Sequence, residues 1–374
     1  MATVTSPPET YKQIPVEPAA RGKGALPDRL VSLDAFRGFI MTALASHAFG
    51  LAILADHPSL GWLGRQFEHV EWEGMVFWDL IQPAFMFMVG LAMPFAFEAR
   101  RRKMGEGSVW KHVAYRAVML IVISQIIMSV SAGEAHFQLI NVLAQIGFTY
   151  FFAYLVMQLP LRGQFLAAAG ILAFHTALFH LFPGSDGAWS QADNIGARID
   201  HFFGLEYRGY YVTINFISST VTTLFGVWCG YLMLEKHPHE ERVKILASAI
   251  VGCWTGGLIL SLFNPMVKRL WTASFTLMSA GCVMLMLLAF YWMVEMKGWR
   301  KATFPLVVVG MNSLFIYCFS IVLWGWVSRS VGVFTGNFEF LGETLGPIAQ
   351  ATAVFGVLWY LCYWLYQRRA FIRI

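Results

Sequence analysis

The sequence predicts an all-α, polytopic integral membrane protein with about ten transmembrane helices and both termini on the cytoplasmic side. Three observations lead there. Residues of the AVILMFWYC set make up 57% of the chain and charged residues only 13%, against ~25% charged in an ordinary soluble domain. Apolar stretches long enough to cross ~30 Å of hydrocarbon at ~1.5 Å per residue recur from Ser32 onward. Lys and Arg crowd alternate connections rather than spreading evenly.

The predicted spans are 33–55, 75–97, 112–131, 137–158, 164–182, 212–234, 244–263, 272–294, 303–327 and 345–366. Open sheets are excluded because unpaired backbone groups facing lipid cost several kcal/mol each, and the runs lack barrel-type alternation. Residues 1–29 are polar, hold five prolines and lack the apolar core of a signal peptide. They read as a disordered cytoplasmic tail ahead of one membrane domain, 30–374.

With the amino terminus inside, 21 of the 27 Lys and Arg fall on the cytoplasmic side, including Arg100 to Lys103, Lys111 and Arg116. Arg65, Arg198, Arg208, Lys268, Arg269 and Arg329 fall outside. The reverse orientation inverts that bias. The +5 net charge therefore reports topology, and it is not distributed as a nucleic-acid footprint. Two external stretches, 56–74 and 183–211, are long enough for structure of their own, the second as a surface loop or short interfacial helix over the bundle mouth.

Cys229, Cys253, Cys282, Cys318 and Cys362 each sit in an apolar run without CxxC or His/Cys spacing, so they read as small core hydrophobes and no metal is expected. Ionisable groups at membrane depth cost ~2.5–3.5 kcal/mol on insertion scales and need a reason to be there. Asp34 and Arg37, three apart in SLDAFRG, share one helix face and read either as an ion pair at the helix start or as part of an anion site. Asp79 precedes Pro83 by four residues in WDLIQPAF, which predicts a carboxylate at a kink lining a cavity. His69 is flanked by Glu68, Glu71 and Glu73, and a neighbouring carboxylate would fix its tautomer as a proton acceptor suited to neutral pH. A lone loop histidine is more often merely solvated.

His47, His175 and His180 all read as hydrogen-bonded core residues, His47 alone riding the first span towards the same outer half as His69. Asn312 and Ser313 fall mid-span in VGMNSLFIY, where an amide must find partners. Lys268 and Arg269 break the charge pattern, either to meet an anion or to snorkel. Together these residues describe a bundle with a polar pocket opening outward, a description that fits an enzyme and a transporter equally.

SLDAFRG (32–38), HVEWEGMVFWDLIQPAFMFMVG (69–90), NVLAQIGFTYF (141–151), TINFISSTVTTLFGVWCG (213–230), NPMVKRLWTASF (264–275) and GMNSLFIY (310–317) follow one another in one order. They resemble the membrane acyltransferase family typified by heparan-α-glucosaminide N-acetyltransferase, over residues 29 to about 325. The resemblance implies transfer of an acetyl group from cytoplasmic acetyl-CoA, as co-substrate, to an amino sugar or glycan on the far side. The family's catalytic histidine lies in His-x-x-Trp-x-Gly ahead of Asp-Leu-x-x-Pro, matched here by His69, Trp72, Gly74, Asp79, Leu80 and Pro83. The animal enzyme carries a helper asparagine near the end of the first family helix, where this chain reads Ala45-Ser46-His47-Ala48.

On that footing His69 is the expected general base, or the carrier of an acetyl-histidine intermediate. Glu68 or Glu71 is expected to poise it, with Asp79 and His47 as further candidate catalytic residues. Asn312, or a backbone N–H near Pro83, is the expected donor to the oxyanion. Arg37 with Asp34, and Arg116, are expected to hold coenzyme A phosphates at the cytoplasmic mouth, with Lys268 as an anion contact from outside. The expected partners are acetyl-CoA, the glycan acceptor and the lipid bilayer of a bacterial inner membrane. Nucleic acid is not among them, and a homodimer is left open. Rival readings are a sugar or amino-sugar transporter, weakened by the absence of internal repeats, an O-acetyltransferase of an envelope glycan, and an assembly protein with a degenerate site.

Overall fold

The computed structural model describes residues 30–371 apart from 106, 136 and 206–210. The predicted tail 1–29 and Arg208 therefore lie outside the described residues. Everything regular in the described chain is helical. Its α-helices are α1 (Val31–Ala45), α2 (Gly61–Gly64), α3 (Ile81–Met104), α4 (Gly107–Ala132), α5 (Val142–Met157), α6 (Leu161–Leu181) and α7 (Ile195–Phe202). After them come α8 (Phe216–Leu234), α9 (His239–Ser261), α10 (Ala273–Tyr291), α11 (Arg300–Met311), α12 (Ser313–Thr335) and α13 (Gly342–Gln367).

Among the described residues seven helical stretches are long and apolar enough to cross a membrane, or eight if the first bent pair is one span. The protein is thus an all-helical polytopic membrane protein. Several predicted spans differ in detail from what forms. The first breaks after Ala45, and a 3₁₀ segment, His47–Asp56, leaves at 57°. His47, Ala48 and Phe49 all take positive φ there. The stretch predicted as one helix over 303–327 is interrupted at Asn312, whose φ of −120° and ψ of 37° lie outside helical values. Pro83 does not kink α3, because it sits in the first turn, where the missing N–H has no intrahelical acceptor to lose. The 183–211 stretch carries the short helix α7.

Helix packing is closest where glycines let backbones meet, as expected without a hydrophobic drive between helices in lipid. On α3 and α8, a Cβ at Gly90 would lie 1.9 Å from the Thr223 carbonyl oxygen, and one at Gly226 would lie 2.0 Å from that of Phe87. On α1 and α11, Gly38 and Gly310 are equally tight against Leu306 and Asp34. Gly226→Ala is therefore expected to destabilise the bundle by about 1–3 kcal/mol or more through overpacking. Gly170→Ala in α6, where a Cβ meets nothing, should not lower stability. Thermal unfolding of the two purified variants checks the contrast, and equal midpoints would remove the close-crossing account.

The α3–α8 crossing also fixes what lies at its two ends. The 24 residues of α3 span about 36 Å at ~1.5 Å per residue. Asp79, just ahead of α3, is thereby held far from the basic connection at Arg100 to Lys103.

Candidate functional site

The segment before α3 is built to hold one side chain still. Gly74, at φ +118°, donates its N–H to the Met266 carbonyl at 2.8 Å, and only glycine takes that backbone angle without strain. The Phe77 N–H meets Gln66 Oε1 at 3.2 Å. Asp79 Oδ2 accepts the Val76 N–H at 3.2 Å, which orients the carboxylate and caps the 3₁₀ turn Phe77–Leu80 leading into α3.

The other oxygen, Asp79 Oδ1, meets His69 Nδ1 at 2.7 Å. A carboxylate can only accept, so Nδ1–H donates and Nε2 is left with its lone pair. Asp79 is 1% exposed and the His69 side chain 50%; the pair therefore has a buried anchor and an accessible base. The flanking Glu68, Glu71 and Glu73 are all exposed, and the partner the ring meets is Asp79, ten residues on.

Opposite lies a second built segment, 264–272. Thr272 Oγ1 accepts the Val267 N–H at 3.0 Å and donates to the Pro265 carbonyl at 2.7 Å. Trp271 takes φ 57° while fully buried. It is held there by Ser218, which donates to its carbonyl, and by Thr222, which accepts its indole N–H. A bulky residue in that region stores strain that the surroundings must over-determine. The turn presents Lys268, 5% exposed, whose Nζ lies 3.2 Å from Asp79 Oδ1 and 3.4 Å from His69 Nδ1. The buried ammonium neutralises the buried carboxylate.

His69, Asp79, Lys268, Trp72, Tyr211 and Arg269 line a cavity of about 80 Å³. The Trp72 indole donates to the Trp189 carbonyl at 3.0 Å. Trp189, and Ile195 at the start of α7, pack with Trp72 around Phe179 and Val267, so the segment that carries them covers this end of the bundle.

A larger cavity of about 310 Å³ lies deeper along α3. Its walls are mostly apolar, with Met41, Phe85, Met88 and Leu314 among them, yet Arg37 and Arg116 both reach it. Arg116 stacks at 4.9 Å over the Tyr150 ring. Two guanidinium groups at an apolar cavity can pair with phosphate or carboxylate of a bound molecule.

The structure thus brings His69, Asp79 and Lys268 together, and Arg37 and Arg116 together. Lys268, expected as an anion contact from outside, is instead turned onto Asp79. His47 is not brought to either cavity, because the break after α1 stacks it on Trp324 at 4.2 Å between ring centres. Asn312 is buried in the α11–α12 break, and neither it nor the buried Asp34 lines either cavity. With Pro83 in the first turn of α3, no backbone group is freed beside it by a kink.

Sequence reasoning passed over Tyr211 and a run of buried amides. Gln82 donates through Nε2 to Gln145 Oε1. Gln145 Nε2 in turn reaches Asn215 Oδ1 at 2.8 Å and Ser219 Oγ at 3.0 Å. The available signal was an amide inside each of the apolar stretches DLIQPAF and NVLAQIGF.

No protein-family model matches the chain. Among curated proteins it is similar to human heparan-alpha-glucosaminide N-acetyltransferase, at 25% identity over 81% of the chain. The aligned part is 54% of that enzyme, so the chain spans about half the length of the relative it matches. The chain is accordingly a distant relative of that acetyltransferase, and the kinship supports a membrane acyltransferase class of function.

Proposed function

We propose that the protein moves an acetyl group from acetyl-CoA on the cytoplasmic face to an amino sugar or glycan on the external face of a bacterial inner membrane. In this reading the chain crosses the bilayer about ten times with both ends inside, as the Lys and Arg distribution favours. The observation that carries the reading is the His69–Asp79–Lys268 cluster at one end of α3, with a cavity reached by two arginines deeper along the same helix.

An amine acceptor is protonated at neutral pH and must lose a proton before it attacks a thioester. His69 Nε2 is the general base, since Nδ1 is committed to Asp79. Asp79 keeps that tautomer and stabilises the imidazolium that forms. Lys268 compensates the charge of Asp79 while the ring is neutral. An acetyl-histidine route uses the same atom as nucleophile. Arg37 and Arg116 pair with phosphates of the donor, and the apolar walls between them accept its thioester arm.

Assay of membranes with labelled acetyl-CoA and amino sugars tests the reading, and the product, N- or O-acetylated, identifies the acceptor group. Arg37→Gln and Arg116→Gln are each expected to raise KM for acetyl-CoA about tenfold or more, the worth of a charge-assisted hydrogen bond, and to spare kcat. Unchanged KM in both variants would take the donor out of the larger cavity. Accumulation of sugar in sealed vesicles without acetyl-CoA consumption would make the protein a carrier instead.

A further inference from the structure

We propose that Gln82, braced by Gln145, binds the acyl carbonyl oxygen as the thioester reaches His69, an inference that rests on the acyltransferase reading above. On α3 and the turn before it, Asp79, Gln82 and Phe85 follow at intervals of three residues and so share one face. Asp79 lines the small cavity and Phe85 the large one. Gln82 lies between those two residues on that face, lining neither cavity itself, and Leu143 and Ile146 of α5, the helix that carries Gln145, line the large cavity.

The two amides are not equivalent. Gln145 is fully engaged: its Oε1 accepts from Gln82, and its Nε2 donates to both Asn215 and Ser219. Asn215 itself reaches the Arg269 carbonyl at 3.4 Å, so the chain of amides ends on the turn that presents Lys268. Gln82 is held by its single bond to Gln145, which leaves one Nε2 hydrogen and Oε1 without a side-chain partner among the described residues. Gln82 is 6% exposed, and a buried amide with an uncommitted donor inside a membrane bundle asks for a polar partner.

The chemistry supplies one. The acceptor nitrogen bonds to the acyl carbon, the carbon–sulfur bond breaks, and its electron pair leaves on sulfur. His69 Nε2 takes the proton from the amine and returns it to the thiolate. Between those events the carbonyl oxygen carries negative charge, and a fixed N–H donor aimed at it lowers the barrier. Asn312, the sequence's candidate for this donor, lies in the α11–α12 break rather than on the α3 face that carries Asp79.

A brace alone would also explain the pair, and one experiment separates the two. Full-length protein in proteoliposomes is assayed for transfer from labelled acetyl-CoA to a panel of amino sugars, beside Gln82→Met, Gln145→Met and the double variant. Gln82→Met should lose about 100-fold in kcat with KM for acetyl-CoA unchanged. The double variant removes the orphaned Gln145 acceptor but also the donors to Asn215 and Ser219, and should not regain the rate. Wild-type kcat in Gln82→Met, or recovery of rate in the double variant, would reduce Gln82 to a brace. Absence of transfer by the unmodified protein would overturn the parent reading itself.

Discussion

His69→Ala is expected to abolish transfer of labelled acetyl from acetyl-CoA while leaving the fold intact. A positioned base is worth about 10²–10⁴-fold in rate, and a covalent carrier is worth the whole of its route. The side chain is half-exposed at the cavity lip and bonds inward only through Nδ1, so its removal opens no core void. Melting of the detergent-solubilised variant should fall only slightly, by the net worth of one hydrogen bond, about 1 kcal/mol, because Asp79 keeps Lys268 and the Val76 N–H. Label retained on wild-type protein after quenching, and missing from His69→Ala, would identify the acetyl-histidine route. Transfer at the wild-type rate would remove His69 from the chemistry.

Asp79 carries the second large effect, and it acts on stability as well as rate. Its carboxylate is the point where His69, Lys268 and the Val76 N–H converge. Asp79→Ala leaves the 5%-exposed Lys268 ammonium without its counter-ion, a loss of about 3–5 kcal/mol for a broken buried pair. Asp79→Asn keeps the shape but can present its amide to the ring, which favours the wrong tautomer. In a comparable histidine–aspartate pair that change costs about 10⁴-fold in kcat. Joining Asp79→Asn with Lys268→Met should restore most of the melting temperature, because no unpaired ammonium remains, yet leave transfer absent. A fully active Asp79→Asn protein would show that the carboxylate does nothing but hold the fold.

These two expectations separate what a residue anchors from what it does. His69 is nearly free of structural duty, whereas Asp79 is bound to it from three sides. That difference was invisible in the string HVEWEGMVFWDL. There the acids nearest His69 are Glu68, Glu71 and Glu73, and all three turn out exposed. Sequence neighbours on an irregular loop share no fixed face, so proximity along the chain said little about which carboxylate would meet the ring. The resemblance to acyltransferases pointed at the histidine that meets the buried Asp79 because it carried a pattern rather than a distance.

The helical, membrane-embedded character of the protein was legible from composition and the length of its apolar runs, because burial in lipid is a property of averages over about twenty residues. The breaks at Ser46 and Asn312 were not. Both fall inside runs whose hydropathy is uninterrupted, and a broken helix keeps the same apolar residues in lipid as a straight one. Arg37 and Arg116 were legible as costly residues that needed a reason. Their convergence on one cavity depends on how α1 and α4 pack around α3, which no periodicity encodes.

What the sequence by itself determined is the class of solvent this chain inhabits and the identity of its few expensive side chains. Hydrophobic transfer and the penalty on buried charge are additive enough to be read residue by residue. Only the tertiary structure decided which of those side chains meet. It turned Lys268 inward onto Asp79, carried His47 away to Trp324, and paired Gln82 with Gln145. Hydrogen bonds and ion pairs act over a few ångströms, and distances of that size between remote residues exist only once the helices have packed.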